Sequence, residues 1–168
     1  PDTLPEQIVV QAAKAFQAEA ASLMLWNDDE SALVIRASYG LSPKYVREQR
    51  ITRERVKETF IDGDGPPLRY VADLAASPLG DGSLVAGEEL RSALIVPLIR
   101  PASVSETTTA QSDRLDRVTG ILTIYSKGRQ RTFEQSEVEL AHAFASQAAV
   151  MLANARWFAA EGRRRREA

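Results

Sequence analysis

The sequence predicts an α+β domain: a sheet built from antiparallel hairpins, with helices packed against it. Three observations carry this. Two apolar runs, Ser22–Trp26 and Ala32–Tyr39, flank the polar turn formers Asn27-Asp28-Asp29-Glu30-Ser31, which is the pattern of a hairpin. A second pair, Ser92–Ile99 and Val118–Tyr125, repeats that pattern around a long polar insertion. Both ends of the chain carry apolar residues at helical spacing.

The first helix has Thr3 and Glu6 at capping-box spacing, and Pro5 suits a first turn. Ile8, Val9, Ala12, Ala13 and Phe16 then form one apolar face. After the first hairpin, Gly40 ends the strand, and Ser42-Pro43 opens a short helix with Ser as cap. Lys44 to Ile61 is charged, with Tyr45, Val46, Ile51, Val56 and Phe60 interspersed, and is expected to hold one or two short helices over the sheet. Asp62-Gly63-Asp64-Gly65-Pro66-Pro67 is a loop by composition. It lacks the Gly-Lys-Ser/Thr ending of a phosphate loop and the terminal Glu of a calcium loop.

Leu68–Ala72 reads as a short strand ending in Asp73, and Ala76–Leu90 as loop with a weak helical stretch. Pro97 cannot donate to a ladder, so it belongs near an edge, an end or a bulge. Arg100–Arg117 offers few large apolar anchors and is expected to be a disordered loop. The last helix is announced by Thr132-Phe133-Glu134-Gln135 and runs to about Ala160 without Pro or Gly. Val138, Ala141, Ala145, Ala148, Leu152, Ala155 and Ala159 step along it by alternating threes and fours, a heptad pattern. Leu140, Phe144, Met151 and Phe158 widen the apolar arc enough to face both the sheet and another helix.

Composition narrows the chemistry. The chain has 168 residues, long enough for one domain plus an extension. Zero cysteine excludes disulfides, thiolate–zinc sites, iron–sulfur clusters and a cysteine nucleophile. The single His142 makes neither a His-rich metal site nor a catalytic triad, and alone it does not point to haem. With 21 Lys+Arg against 23 Asp+Glu the net charge is −2, so neither nucleic acid nor anionic lipid is an expected partner. No apolar run reaches membrane-spanning length, and no signal peptide is visible, so a cytoplasmic location is expected. Asp28, Asp29 and Glu30 read as solvated turn charges, as do Asp62 and Asp64. The basic run Arg163–Arg166 reads as a solvated linker helix, because no aromatic residues interleave it. The chain opens on Pro1 rather than Met, the expectation being a fragment of a longer protein.

The loop-rich stretch from Gly40 to Arg91 could close over one sheet face and enclose a pocket. The amphipathic residues expected to point into it are Trp26, Tyr39, Tyr70, Asp73, Arg91, Ser92 and Thr123. Trp26 and Tyr39 are residue types more often found in a core than as a ligand shelf, and Asp73 also suits a turn cap.

The ordered set of elements resembles the GAF family of small-molecule sensor domains, which is related to PAS domains. Ala20–Asp28 resembles the family's first strand and turn, and Leu33–Gly40 its second strand closing on an aromatic-Gly pair. Pro67–Leu74 is similar to the strand ending in Asp, and Arg91–Leu98 to the strand with a Val-Pro-Leu signature. Gly120–Ile124, Phe133–Leu140, Gln147-Ala148-Ala149 and Asn154-Ala155 resemble the last strand and helix. The resemblance implies a central antiparallel sheet of five to six strands, terminal helices on one face, and a pocket roofed by loops and short helices on the other.

It also implies a non-catalytic sensing and dimerisation module of a signalling protein, such as a sensor histidine kinase of a two-component system or a cyclic-dinucleotide enzyme. The sensor domain is expected over residues 1–160, with 161–168 starting a linker helix to an output domain. The seven residues from Val138 to Ala159 are the expected dimer contact, and a small molecule the expected ligand. A structural spacer with a filled pocket is the alternative. The family's cyclic-nucleotide binders carry Asn-Lys…Phe…Asp-Glu; here Ser126-Lys127…Phe133…Ser136-Glu137 breaks that signature. The family's small-residue motif is replaced by the charged Arg53–Glu58. Lack of cysteine removes covalent bilin attachment and the family's thiol-based methionine sulfoxide reductase activity.

Overall fold

The computed structural model describes residues 4–62, 68–76, 79–100 and 111–167; for residues 111–113 and 156–167 it describes the backbone alone. Helix α1 (Leu4–Phe16) buries Ile8, Val9, Ala12, Ala13 and Phe16, the face its periodicity predicts. Its expected cap at Thr3 lies outside the described residues. Strands β1 (Ala20–Trp26) and β2 (Ala32–Tyr39) form the first hairpin. Asn27 shapes the turn by accepting hydrogen bonds from the backbone N–H of Ser31 (2.9 Å) and Ala32 (3.2 Å).

Helix α2 (Pro43–Glu48) starts as Ser42-Pro43 predicts: the Ser42 hydroxyl accepts from the Tyr45 N–H at 3.2 Å. The charged segment that follows is not all helix. It contains strand β3 (Arg50–Thr52), paired with β2, before helix α3 (Arg53–Phe60). Three residues are too few to show a period, which is why this strand escapes sequence reading. Strand β4 (Arg69–Val71), helix α4 (Gly82–Gly87) and strand β5 (Leu90–Ile99) come next. Most of the expected disordered loop, 101–110, lies outside the described residues. Its far end is not loop but helix α5 (Gln111–Asp116), which leads into strand β6 (Val118–Lys127).

Six strands form one antiparallel sheet in the order β3-β2-β1-β6-β5-β4. Strands β1, β5 and β6 are buried almost throughout, because both faces are covered. Alternate residues serve opposite layers. Leu23, Leu94, Leu122 and Ile124 face α1 and the last helix, α6. Met24, Ile95, Ile121 and Tyr125 face α2, α3 and α4. Pro97 obeys its constraint: β4 pairs with β5 only as far as Ile95, and the register slips just beyond, at Leu98/Ile99.

Helix α6 (Gln135–Glu167) is 33 residues, about 50 Å at the usual rise. Its first turn is capped two residues later than the sequence predicts. The Glu134 N–H donates to the Glu137 carboxylate at 3.0 Å, half of a capping box. That hydrogen bond is the chief cause holding the Glu137 carboxyl below its usual value. Residues 129–133 are tied to the sheet, so the helix begins only after them. Ala141, Ala145, Ala148 and Ala149 are buried, and their small side chains let α6 lie close on β5 and β6.

Gly120 sits opposite Leu25 in the β1–β6 ladder. A Cβ there would overlap the Met24 carbonyl oxygen and a Leu25 methyl group. Gly120→Ala is therefore expected to destabilise the domain by about 1–3 kcal/mol, the usual range for an overpacked core, read from the midpoint of urea unfolding.

Candidate functional site on the short-helix face of the sheet

Between the sheet and its roof lies a cavity of about 30 Å³. Its floor is Met24, Ile95, Ile121, Thr123 and Tyr125; Tyr45 and Gln49 come from α2 and its cap, and Leu74, Leu79, Gly80 and Val85 close the top. A water needs roughly 10–15 Å³, so the cavity has room for no more than a water or two. Pockets for drug-sized ligands start near ~300 Å³.

The reason is visible in the residues. Tyr45 is buried, and its ring meets Tyr125 edge-on at 6.4 Å and 89°. The two hydroxyls lie 3.5 Å apart, and the Tyr125 hydroxyl shares a 2.9 Å hydrogen bond with Ser22. Burial pushes the Tyr45 phenol up and the Tyr125 phenol well above the usual tyrosine value. Both stay protonated at neutral pH and act as hydrogen-bonding groups, not as bases. Gln49 closes the side of the cavity. Its carboxamide oxygen accepts from the Asp81 N–H (2.7 Å) and the Arg50 N–H (3.1 Å), and its nitrogen donates to the Asp81 carbonyl at 3.3 Å. Gly80 must be small here, because a Cβ would run into that amide and the Arg50 carbonyl. The N-terminus of α2 is held from below: Glu88 accepts from the Ser42 N–H at 3.1 Å and pairs with Lys127 at 3.5 Å.

Of the seven residues the sequence suggests for a pocket, Thr123 alone lines this cavity. Trp26 is buried in the roof-side core, donates its indole N–H to the Val118 carbonyl at 2.7 Å, and lies under the Arg53 guanidinium, 5.2 Å from its ring centroid. Tyr39 is exposed at the end of β2. Asp73 accepts from the Ala75 N–H at 3.1 Å, as a turn cap does. Arg91 is exposed. Tyr70 and Ser92 meet elsewhere, around the linker that leads into α6. Sequence reasoning passed over Ser22, Tyr45, Gln49 and Tyr125 as site residues. The period-two run Ile121, Thr123, Tyr125 marks one of them; nothing local marks Tyr45, set within a charged stretch.

Lys127, Phe133 and Glu137, the three residues surviving from the broken nucleotide signature, have structural partners: Glu88 for the first, Tyr70 and Arg131 for the second, and Arg131 for the third. Among the described residues no group of His, Cys, Asp and Glu could hold a metal ion, and no helix is long and apolar enough to cross a membrane.

On the opposite face, α1 and α6 leave a groove of about 210 Å³ between Ile8, Gln11, Phe144, Gln147 and Met151. Of the heptad residues, Ala141, Ala145 and Ala148 are buried against the domain's own sheet, Val138 and Leu152 are half-buried, and Ala155 is exposed. The side chain of Ala159 is outside the described residues. The exposed large apolar residues on these helices are instead Val10, Leu140, Val150 and Met151.

Comparison with known proteins bears on what this architecture is. No match is found among curated proteins. Solved structures of the same fold are found. A domain described as belonging to a two-component sensor histidine kinase protein of Sinorhizobium meliloti aligns with a TM-score of 0.66 at 20% identity, covering 95% of this chain and 94% of that one. The GAF domain of a phosphoenolpyruvate-protein phosphotransferase from Coxiella burnetii aligns at 0.66 and 24% identity, covering 95% and 88%. The blue-light absorbing form of the PixJ GAF domain from Thermosynechococcus elongatus aligns at 0.66 and 16%, covering 94% and 88%. The family model for the GAF domain matches residues 1–152. With that match extending from α1 into α6 and the antiparallel sheet between its two helical layers, the chain belongs to the GAF domain family.

Proposed function

We propose that this domain is a non-catalytic sensory and dimerisation module of a signalling protein, passing changes in helix packing to an output domain. GAF domains are generally non-catalytic sensory modules, and the solved neighbours include domains of a sensor kinase and a photoreceptor. The observation that carries the reading is the double use of α6. One face packs on the sheet, while Leu140, Val150 and Met151 of α6 and Val10 of α1 stay exposed. We assign the dimer contact to this outer face and the adjoining groove, since Ala141, Ala145 and Ala148 are already occupied. The remainder of the helix, from residue 161, would be the link to an output domain, cytoplasmic in this reading. Catalysis is not part of the proposal: the cavity offers protonated phenols and amides and no base or nucleophile.

The cavity supports a second reading. At about 30 Å³ it has no room for a metabolite unless α2 withdraws Tyr45, which favours a spacer domain with a self-filled pocket. A thermal-shift screen of metabolites and nucleotides separates the two. A ligand at 100 times its Kd adds about 2.7 kcal/mol; one such hit supports sensing, and silence across the screen supports the spacer.

Sedimentation velocity of the wild-type chain is expected to show dimers. Met151→Glu combined with Val10→Glu places charge on the outer face and should weaken dimerisation at least about tenfold, since a buried unpaired charge costs several kcal/mol. A monomeric wild-type chain at high concentration would count against the dimer. Tyr45→Ala is expected to cost about 3–5 kcal/mol, as for other buried aromatic truncations, measured by chemical denaturation.

A further inference from the structure

The buried polar side chains of the described core are Ser22, Gln49, Ser92, Thr123 and Ser126. They fall in two places. Ser22, Gln49 and Thr123 belong to the cavity and its walls. Ser92 and Ser126 lie near the start of β5 and the end of β6, outside the cavity lining.

There they organise the linker between β6 and α6. The Ser126 hydroxyl donates to the Arg129 carbonyl (2.7 Å) and accepts from the Ser92 N–H (3.0 Å). The Ser92 hydroxyl donates to the Ala72 carbonyl at the end of β4 (2.7 Å) and accepts from the Arg131 N–H (3.1 Å). The Arg131 carbonyl accepts from the Tyr70 hydroxyl at 2.7 Å. The Arg131 guanidinium donates to Glu137 at 2.7 Å and lies over Phe133, 4.7 Å from the ring centroid, while Phe133 meets Tyr70 edge-on at 6.0 Å. Glu137 also caps α6. Edge strand β4 and the first turn of α6 are thus held by one residue, Arg131, through its backbone on one side and its side chain on the other. The Arg131–Glu137 pair is partly buried, with side-chain exposures of 17% and 29%, so salt screens it less than a fully exposed pair.

We infer that this clamp is a coupling device: it ties the position of β4, the strand that enters and leaves the roof, to the cap of the signalling helix, with Arg131 as the positioning residue. The inference deepens the proposed sensory role and rests on it, naming the route by which the roof would reach α6. A shift of β4 has to move the Arg131 carbonyl or lose a hydrogen bond, and a shift of Arg131 has to move Glu137 or loosen the cap. Among the described residues the hydrogen bonds that connect Tyr70 with Glu137 run through Arg131, by its carbonyl on one side and its guanidinium on the other.

The test is a double-mutant cycle read by hydrogen exchange on the unliganded chain. Tyr70→Phe removes the bond to the Arg131 carbonyl, and Glu137→Gln weakens the guanidinium anchor; both keep the shape of the side chain. Tyr70→Phe is expected to speed exchange at the amides of residues 138–141 by about threefold or more, within the usual range for coupled neighbours. In the Glu137→Gln background the same change should have a clearly smaller effect there. The inference is overturned by acceleration confined to β4, by an equal factor in both backgrounds, or by a uniform rise that includes β1. The readout needs no ligand. A failed cycle therefore leaves the sensory role intact, and an empty ligand screen leaves the clamp intact.

Discussion

Everything in this domain depends on a sheet that is apolar on both faces. Strands β1, β6 and β5 are the middle of the molecule, and their side chains divide between two layers that never meet. Each fully buried aliphatic side chain is worth about 1.5–3 kcal/mol relative to exposure, so neither layer can be lifted off cheaply. The terminal helices own one face; the short elements between β2 and β5 own the other. The division of labour we propose, sensing on one side and relay on the other, would use these two faces.

The same constraint decides what could be read from the sequence. The two hairpins and α1 were legible because their signals are local: an apolar run, a turn, a stripe at helical spacing. Ser42-Pro43 announced α2 for the same reason. The long helix was legible as an element, but its heptad stripe had two possible tenants. Alanines at 141, 145 and 148 suit a helix partner and a close-packed sheet equally, and in the fold the sheet takes them. The pocket was least legible. Tyr39, Tyr70 and Arg91 have the amphipathic character of ligand contacts, yet which face a side chain joins depends on register, on the slip between Leu23 and Met24 and on the reach of β4. None of these is encoded in residue type. Tyr45 sits among charges, and only the tertiary fold turns it inward.

The polar interior has a logic of its own. In a core this apolar, every buried hydroxyl or amide needs a partner, so the few that persist fix particular segments in place. Gln49 fixes the α2–α4 junction. Ser92 and Ser126 fix the linker. Glu88 draws Ser42 and Lys127 together across the same end of the sheet. These contacts contribute less to overall stability than the aliphatic layers, but they set the positions of the segments that distinguish this member from a generic α+β sandwich.

Pro97 carries one further implication. Past Ile95, no strand among the described residues continues the ladder on the β4 side of β5. An open ladder in a long apolar strand is a template on which a second chain can extend the sheet, the first step towards fibrous aggregation. A proline there has no N–H to offer an incoming strand. Pro97 thus makes this open stretch of β5 a poorer template for a second chain than an unbroken apolar strand would be.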